Sequence, residues 1–122
     1  MKAFSFESRQ VESDGDVSVF DLRGYIDAHT VIEFEKAVHS AIEAGVRRII
    51  LDISGLSYIS SAGIGAMMGL ARKLNQAGGD LALLNPTPKV FAILDGLGFT
   101  KIFKIAQTEE EALGKLRPAA AQ

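Results

Sequence analysis

The chain has 122 residues, of which 48% are hydrophobic, so it fits one ordinary domain with a proper core and excludes a disordered chain. A net charge of −2 argues against a general nucleic-acid or anionic-membrane surface. The absence of cysteine removes disulfides, thiol catalysis and Cys-based metal sites.

Met1 to Ser8 carries one lysine and no long apolar stretch, unlike a signal peptide, and no apolar run approaches the roughly 20 residues needed to span a bilayer. A soluble cytoplasmic protein is expected. Phe4 to Val11 alternates loosely, Val17 to Leu22 reads VSVFDL, and Asp14-Gly15 between them predicts the turn of an antiparallel hairpin. Thr30 to Glu43 has helical spacing of Val31, Phe34, Val38, Ala41 and Ile42. Thr30 with Glu33 forms a T-x-x-E capping box, and Gly45 suits a left-handed C-terminal cap.

Arg48 to Ile53 holds the unbroken run Ile49-Ile50-Leu51, which predicts a central parallel strand covered on both faces. A second helix follows on Ile64, Met67, Ala71 and Leu74, and Leu81 to Leu84 makes a further strand. Thr87-Pro88 opens a third helix with a cap and a first-turn proline. Lys101 to Ile105 reads as a short edge strand that its lysines protect. Thr108 with Glu111 is a second capping box, opening a final helix through Leu116, and residues 117–122 read as a frayed tail. The order ββαβαβαβα implies a single α/β domain over residues 1–122, with a mixed, mostly parallel sheet. No internal repeat or linker interrupts it.

Few residues can carry catalysis. His29 and His39 are the only neutral-pH bases. His39 falls on the solvent side of its helix, and His29 reads as a loop or near-cap residue beside Asp27. Asp27, His29 and Ser60 or Ser61 could be written as a triad, but the G-x-S-x-G elbow is missing. Gly63, Gly65 and Gly69 depart from G-x-G-x-x-G by one residue and stand too far after the predicted strand, and no G-K-[ST] follows. Gly65 and Gly69 fit instead a helix packed close to a sheet, since each costs about 1 kcal/mol of helix propensity. Asp27, Asp52 and Asp80 do not assemble into the strand-end acidic cluster of a receiver. No metal or cofactor is expected.

The remaining feature is Ser60-Ser61 at a strand-to-helix junction. One serine suffices as an N-cap. The other stands at the positive end of a helix, where a phosphate is tolerated and adds about −1.5 to −2 charges. Cap alone and switch both remain open on these residues.

The segment Leu51-Asp52-Ile53-Ser54-Gly55-Leu56-Ser57-Tyr58-Ile59-Ser60-Ser61-Ala62-Gly63-Ile64-Gly65, with Gly24-Tyr25-Ile26-Asp27 before it, resembles the STAS-domain anti-sigma factor antagonists. The resemblance runs from the first hairpin to Leu113. It implies a protein-binding switch and not an enzyme. It implies that the unphosphorylated form binds an anti-sigma factor that is also a serine kinase with a histidine-kinase-like ATPase fold, freeing a sigma factor. It further implies phosphorylation at Ser61, with Ser60 as the alternative, reversal by a serine phosphatase, and a monomer when free. The expected contact surface comprises Asp27, His29, Ser60, Ser61, Ala62 and Gly63, with the exposed side of the following helix. Many family members carry aspartate where this chain has Ser60. Two alternatives are a STAS module of a stressosome-like or secretion-regulating system and a small nucleotide-binding domain.

Overall fold

The computed structural model describes residues 3–118. The chain runs β1 (Phe4–Val11), β2 (Asp14–Ile26), α1 (Val31–Glu43), β3 (Arg48–Ile59), α2 (Ser61–Gln76), β4 (Asp80–Leu84), α3 (Pro88–Gly96), a 3-10 turn at Phe99–Lys101, β5 (Ile105–Ala106) and α4 (Glu109–Lys115). The strands make one sheet in chain order. β1 is antiparallel to β2, and every later neighbour is parallel. The α/β class, the element order and the mixed sheet are those implied by the sequence.

Strand alternation sends two sets of side chains to opposite faces. Phe20, Leu22, Ile49, Leu51, Leu81 and Leu83 face the apolar stripes of α1, α2 and α3, where Phe34, Met67, Leu74 and Leu94 are fully buried. Val17, Val19, Ile50, Ala82 and Leu84 face Ala112 and Leu116 of the α4 segment. The run Ile49-Ile50-Leu51 is thereby buried on both sides. Gly45, at φ 100°, closes α1: its N–H donates to Ile42 O and that of Val46 to Ala41 O, the paired bonds of a Schellman end.

β3 runs six residues beyond the Ile53 limit expected from the sequence, because two bulges let it keep pairing. Asp21 opposes Asp52 and Arg23 opposes Gly55, then Gly24 opposes Leu56 and Tyr25 opposes Tyr58. Each step puts one extra residue on β3, and two such slips restore the original faces. Asp52 braces the first: its Oδ1 accepts from Ser54 N at 3.1 Å and Ser54 Oγ at 2.7 Å. Gly55 has to be glycine there, since a Cβ would stand 2.7 Å from Leu22 O. The result is that Ile26 and Ile59 end their strands side by side.

Other elements shift. The hairpin turn falls on Glu12 and Ser13, and Asp14 pairs with Val11 inside the ladder. The last strand is Ile105–Ala106 and not Lys101–Ile105: residues Phe99–Lys101 close a 3-10 turn, and Lys104 turns inward to Asp80. Arg117, expected in a frayed tail, is held. Its backbone N donates to Asp80 Oδ2 at 2.8 Å and its guanidinium to Gly79 O at 2.8 Å. The remainder of that tail, 119–122, lies outside the described residues.

Candidate functional site

The parallel ends of β2 and β3 bring the candidate residues to one edge of the sheet. Ser60 N donates to Ile26 O at 2.8 Å, so the last rung ties the two exits together. β3 passes through Ser60 straight into α2, and β2 reaches α1 through a four-residue turn.

After β2 the chain makes a tight turn built on Asp27. Its Oδ1 accepts from His29 N at 2.8 Å and Thr30 N at 3.0 Å. Thr30 is buried; its hydroxyl donates to Tyr25 O at 2.8 Å and accepts from Asp27 N at 2.9 Å. The expected Thr30–Glu33 capping box therefore does not form. Thr30 already has helical backbone angles (φ −84°, ψ −17°) and its side chain points back into the turn, so Asp27 satisfies the N–H groups entering α1. The main-chain N–H groups of Thr30 and His29 hold the Asp27 carboxyl below its ordinary range, keeping it ionised at neutral pH.

After β3, Ser60 is extended (φ −90°, ψ 173°) and its Oγ accepts from Gly63 N at 3.3 Å. Ser60 is the cap of α2. Ser61 is the first helical residue; it and Ala62 are exposed. Gly63 is buried and could not be larger: a Cβ would lie 2.7 Å from Ile26 Cγ2 and 2.8 Å from Ile59 Cγ1. The glycine lets α2 start directly against the two strand ends. By contrast, Gly65 and Gly69 do not press on the sheet as the sequence led us to expect. They face away from it, and a Cβ at either would meet nothing within 4 Å. The glycines are also not remote from their strand, because β3 runs to Ile59.

Asp27, His29, Ser60, Ser61, Ala62 and Gly63 thus share one edge. Nothing in that arrangement makes a triad: Asp27 Oδ1 is engaged by main-chain N–H groups, not by the exposed His29 ring, and Ser60 Oγ is engaged by Gly63. His39 lies elsewhere on α1, with Nε2 2.6 Å from Glu43 Oε1. Among the described residues no group of three His, Cys, Asp or Glu could hold a metal, and no helix is long and apolar enough to cross a membrane. The sequence reading passed over two side chains flanking the site. Tyr25 and Tyr58 are cross-strand neighbours, 37% and 41% exposed, and Lys89 Nζ sits 5.7 Å from the Tyr58 ring centroid. The bulge that pairs the tyrosines has no periodic signature from which it could have been found.

A family model described as the STAS domain matches residues 8–112. The chain belongs to the STAS-domain family. An anti-sigma F factor antagonist of Lysinibacillus sphaericus is 37% identical over 103 residues, covering 81% of this STAS chain and 85% of that protein. The solved structure of the anti-sigma factor antagonist SpoIIAA in its unphosphorylated form is 31% identical, with a TM-score of 0.73 over 91% of this chain and 95% of that one. The phosphorylated form of SpoIIAA, a Bacillus cell fate determinant, superimposes with a TM-score of 0.66 at 30% identity, over 91% and 98% of the two chains. The STAS resemblance carried by Leu51–Gly65 is therefore borne out at the level of the family.

Proposed function

We propose that this STAS domain is a phosphorylation-controlled binding switch that antagonises an anti-sigma factor serine kinase. Ser61 is the modified residue, and a serine phosphatase resets it. The observation that carries the reading is the division of labour between the two serines: Ser60 is committed to the cap, whereas Ser61 is exposed at the first helical position. The names of the similar proteins support the partner class, and the solved phosphorylated form of SpoIIAA supports modification within this fold.

Chemically, Ser61 Oγ takes the γ-phosphoryl group of ATP and loses its proton to the kinase, leaving phosphoserine and ADP. The new dianion lies over the free N–H groups of α2, so the fold tolerates it. It also adds about −1.5 to −2 charges to an edge that already carries the ionised Asp27. A partner surface fitted to a neutral serine is then faced with concentrated negative charge. The switch acts in the cytoplasm.

The test is calorimetric titration with the anti-sigma kinase, with phosphosite mapping on the same samples. Ser61→Ala is expected to bind and to take no phosphate. Ser61→Glu should bind at least about tenfold more weakly. Ser60→Ala should still be phosphorylated at Ser61, while losing about 1 kcal/mol of fold stability with its cap. Phosphate found on Ser60 alone, or affinity unchanged by Ser61→Glu, overturns the assignment.

A further inference from the structure

The seam between α1 and α2 holds a groove of about 520 Å³. Val38, Ile42 and Leu70 make its base apolar, and Ile32, 55% exposed, stands at the end next to the His29–Thr30 turn. Gly65 and Gly69 keep the α2 side open, because their missing Cβ atoms would project into free space. They follow Ser61 at i+4 and i+8, so the groove and the exposed serine share one stripe of α2. A channel apolar at its base and walled by two helices has the form that accepts an amphipathic helix.

Charge decides which helix. Lys36 from α1 and Lys73 from α2 line the groove, both exposed and without an ion-pair partner among the described residues. Against these two ammonium groups stands one carboxylate, Glu35, also on the lining. His39 is already engaged by Glu43. We propose that the groove receives an amphipathic helix of the anti-sigma partner, its apolar side chains toward Val38 and Leu70 and its carboxylates toward Lys36 and Lys73. This rests on the switch reading and names the partner's docking element. It also gives the phosphate a direct target: a charge on Ser61 stands on the stripe that the acidic helix follows, so like charges meet there.

The probes are stapled helical peptides of about four turns, each with a leucine face, flanked either by glutamates or by lysines. They are titrated into the isotope-labelled protein and followed by amide chemical shifts. The glutamate peptide should shift the groove-lining amides saturably and bind about tenfold tighter than the lysine peptide. Lys36→Glu/Lys73→Glu should reverse that order, and Gly65→Leu/Gly69→Leu should weaken both. Gly65→Ala/Gly69→Ala, which meets no internal obstacle and favours the helix, controls for folding by its thermal melt. Equal binding of the two peptides, shifts on another face, or affinity indifferent to groove filling overturns the proposal. Titration of the kinase with Ser61→Glu runs alongside. A loss there with no peptide effect sinks the groove and leaves the switch. Groove binding by the glutamate peptide with no Ser61→Glu effect supports the groove and sinks the switch at Ser61.

Discussion

Asp27 shows how one side chain can set both geometry and charge. Its Oδ1 shapes the turn by accepting two main-chain bonds, and those same bonds keep it ionised. Because its folded pKa is depressed, the stabilisation is complete above the unfolded value of about 3.9 and is lost as pH falls through the lower folded value. The amides of His29 and Thr30 should therefore titrate below the usual aspartate range in an NMR pH series. Asp27→Asn keeps an acceptor oxygen and should abolish that titration while leaving α1 in place. If the two amides titrate unchanged in the Asn variant, another group holds the turn. Residue type and position put Asp27, His29, Ser60 and Ser61 forward as candidates, and the structure gathers them at one edge. It assigned the α1 cap to Thr30 because a T-x-x-E spacing is local information. What displaced the cap was Tyr25 O, a carbonyl five residues back whose position depends on the strand.

The two T-x-x-E boxes make the same point for whole elements. At α4 the threonine half of the box forms, with Thr108 Oγ1 accepting from Glu111 N at 3.1 Å, while Glu111 Oε1 reaches one residue past the cap and accepts from Gln107 N at 3.0 Å. No competing turn precedes Thr108, so local chemistry prevails there. The α2 glycines divide similarly. All three look alike in sequence, yet only Gly63 is fixed by packing, and only because two bulges carry β3 to Ile59 beside Ile26. Bulge placement depends on pairing with another strand, which periodicity within one strand does not reveal. Gly63→Ala should therefore cost about 1–3 kcal/mol, as overpacking does, and should tilt the start of α2 with Ser61 on it. The measurement is a denaturant midpoint together with the rate of Ser61 phosphorylation. Loss of stability of that size with the rate intact would detach Gly63 from the geometry of the site.

Across the whole molecule, the Ser61 edge and the closure of the domain lie at opposite ends of the parallel sheet. Ser60 follows the end of β3, whereas Asp80 stands opposite Arg48 where β3 and β4 begin. Asp80 is 4% exposed, and burial pushes its carboxyl up. The Lys104 ammonium and the N–H groups of Arg117 and Leu81 outweigh that and hold it below the ordinary range. One carboxylate thus ties β4 to the chain entering β5 and to the end of the α4 segment. No local pattern signals this latch, since its partners lie 24 and 37 residues away. The depressed value fixes the sign: this stability is present above about pH 4 and is lost as pH falls through the folded pKa. Asp80→Ala should remove about 1–3 kcal/mol by leaving the Lys104 ammonium and the Arg117 N–H unpaired, an amount moderated because Lys104 is partly solvated. It should flatten the acid limb of the stability curve and free the segment around Arg117 to hydrogen exchange. Kinase affinity, measured at a temperature where the variant is fully folded, should stay at the wild-type value because no latch residue reaches the Ser61 edge. A matched loss of affinity would show that the two ends of the sheet are coupled and that the switch does not act at its edge alone.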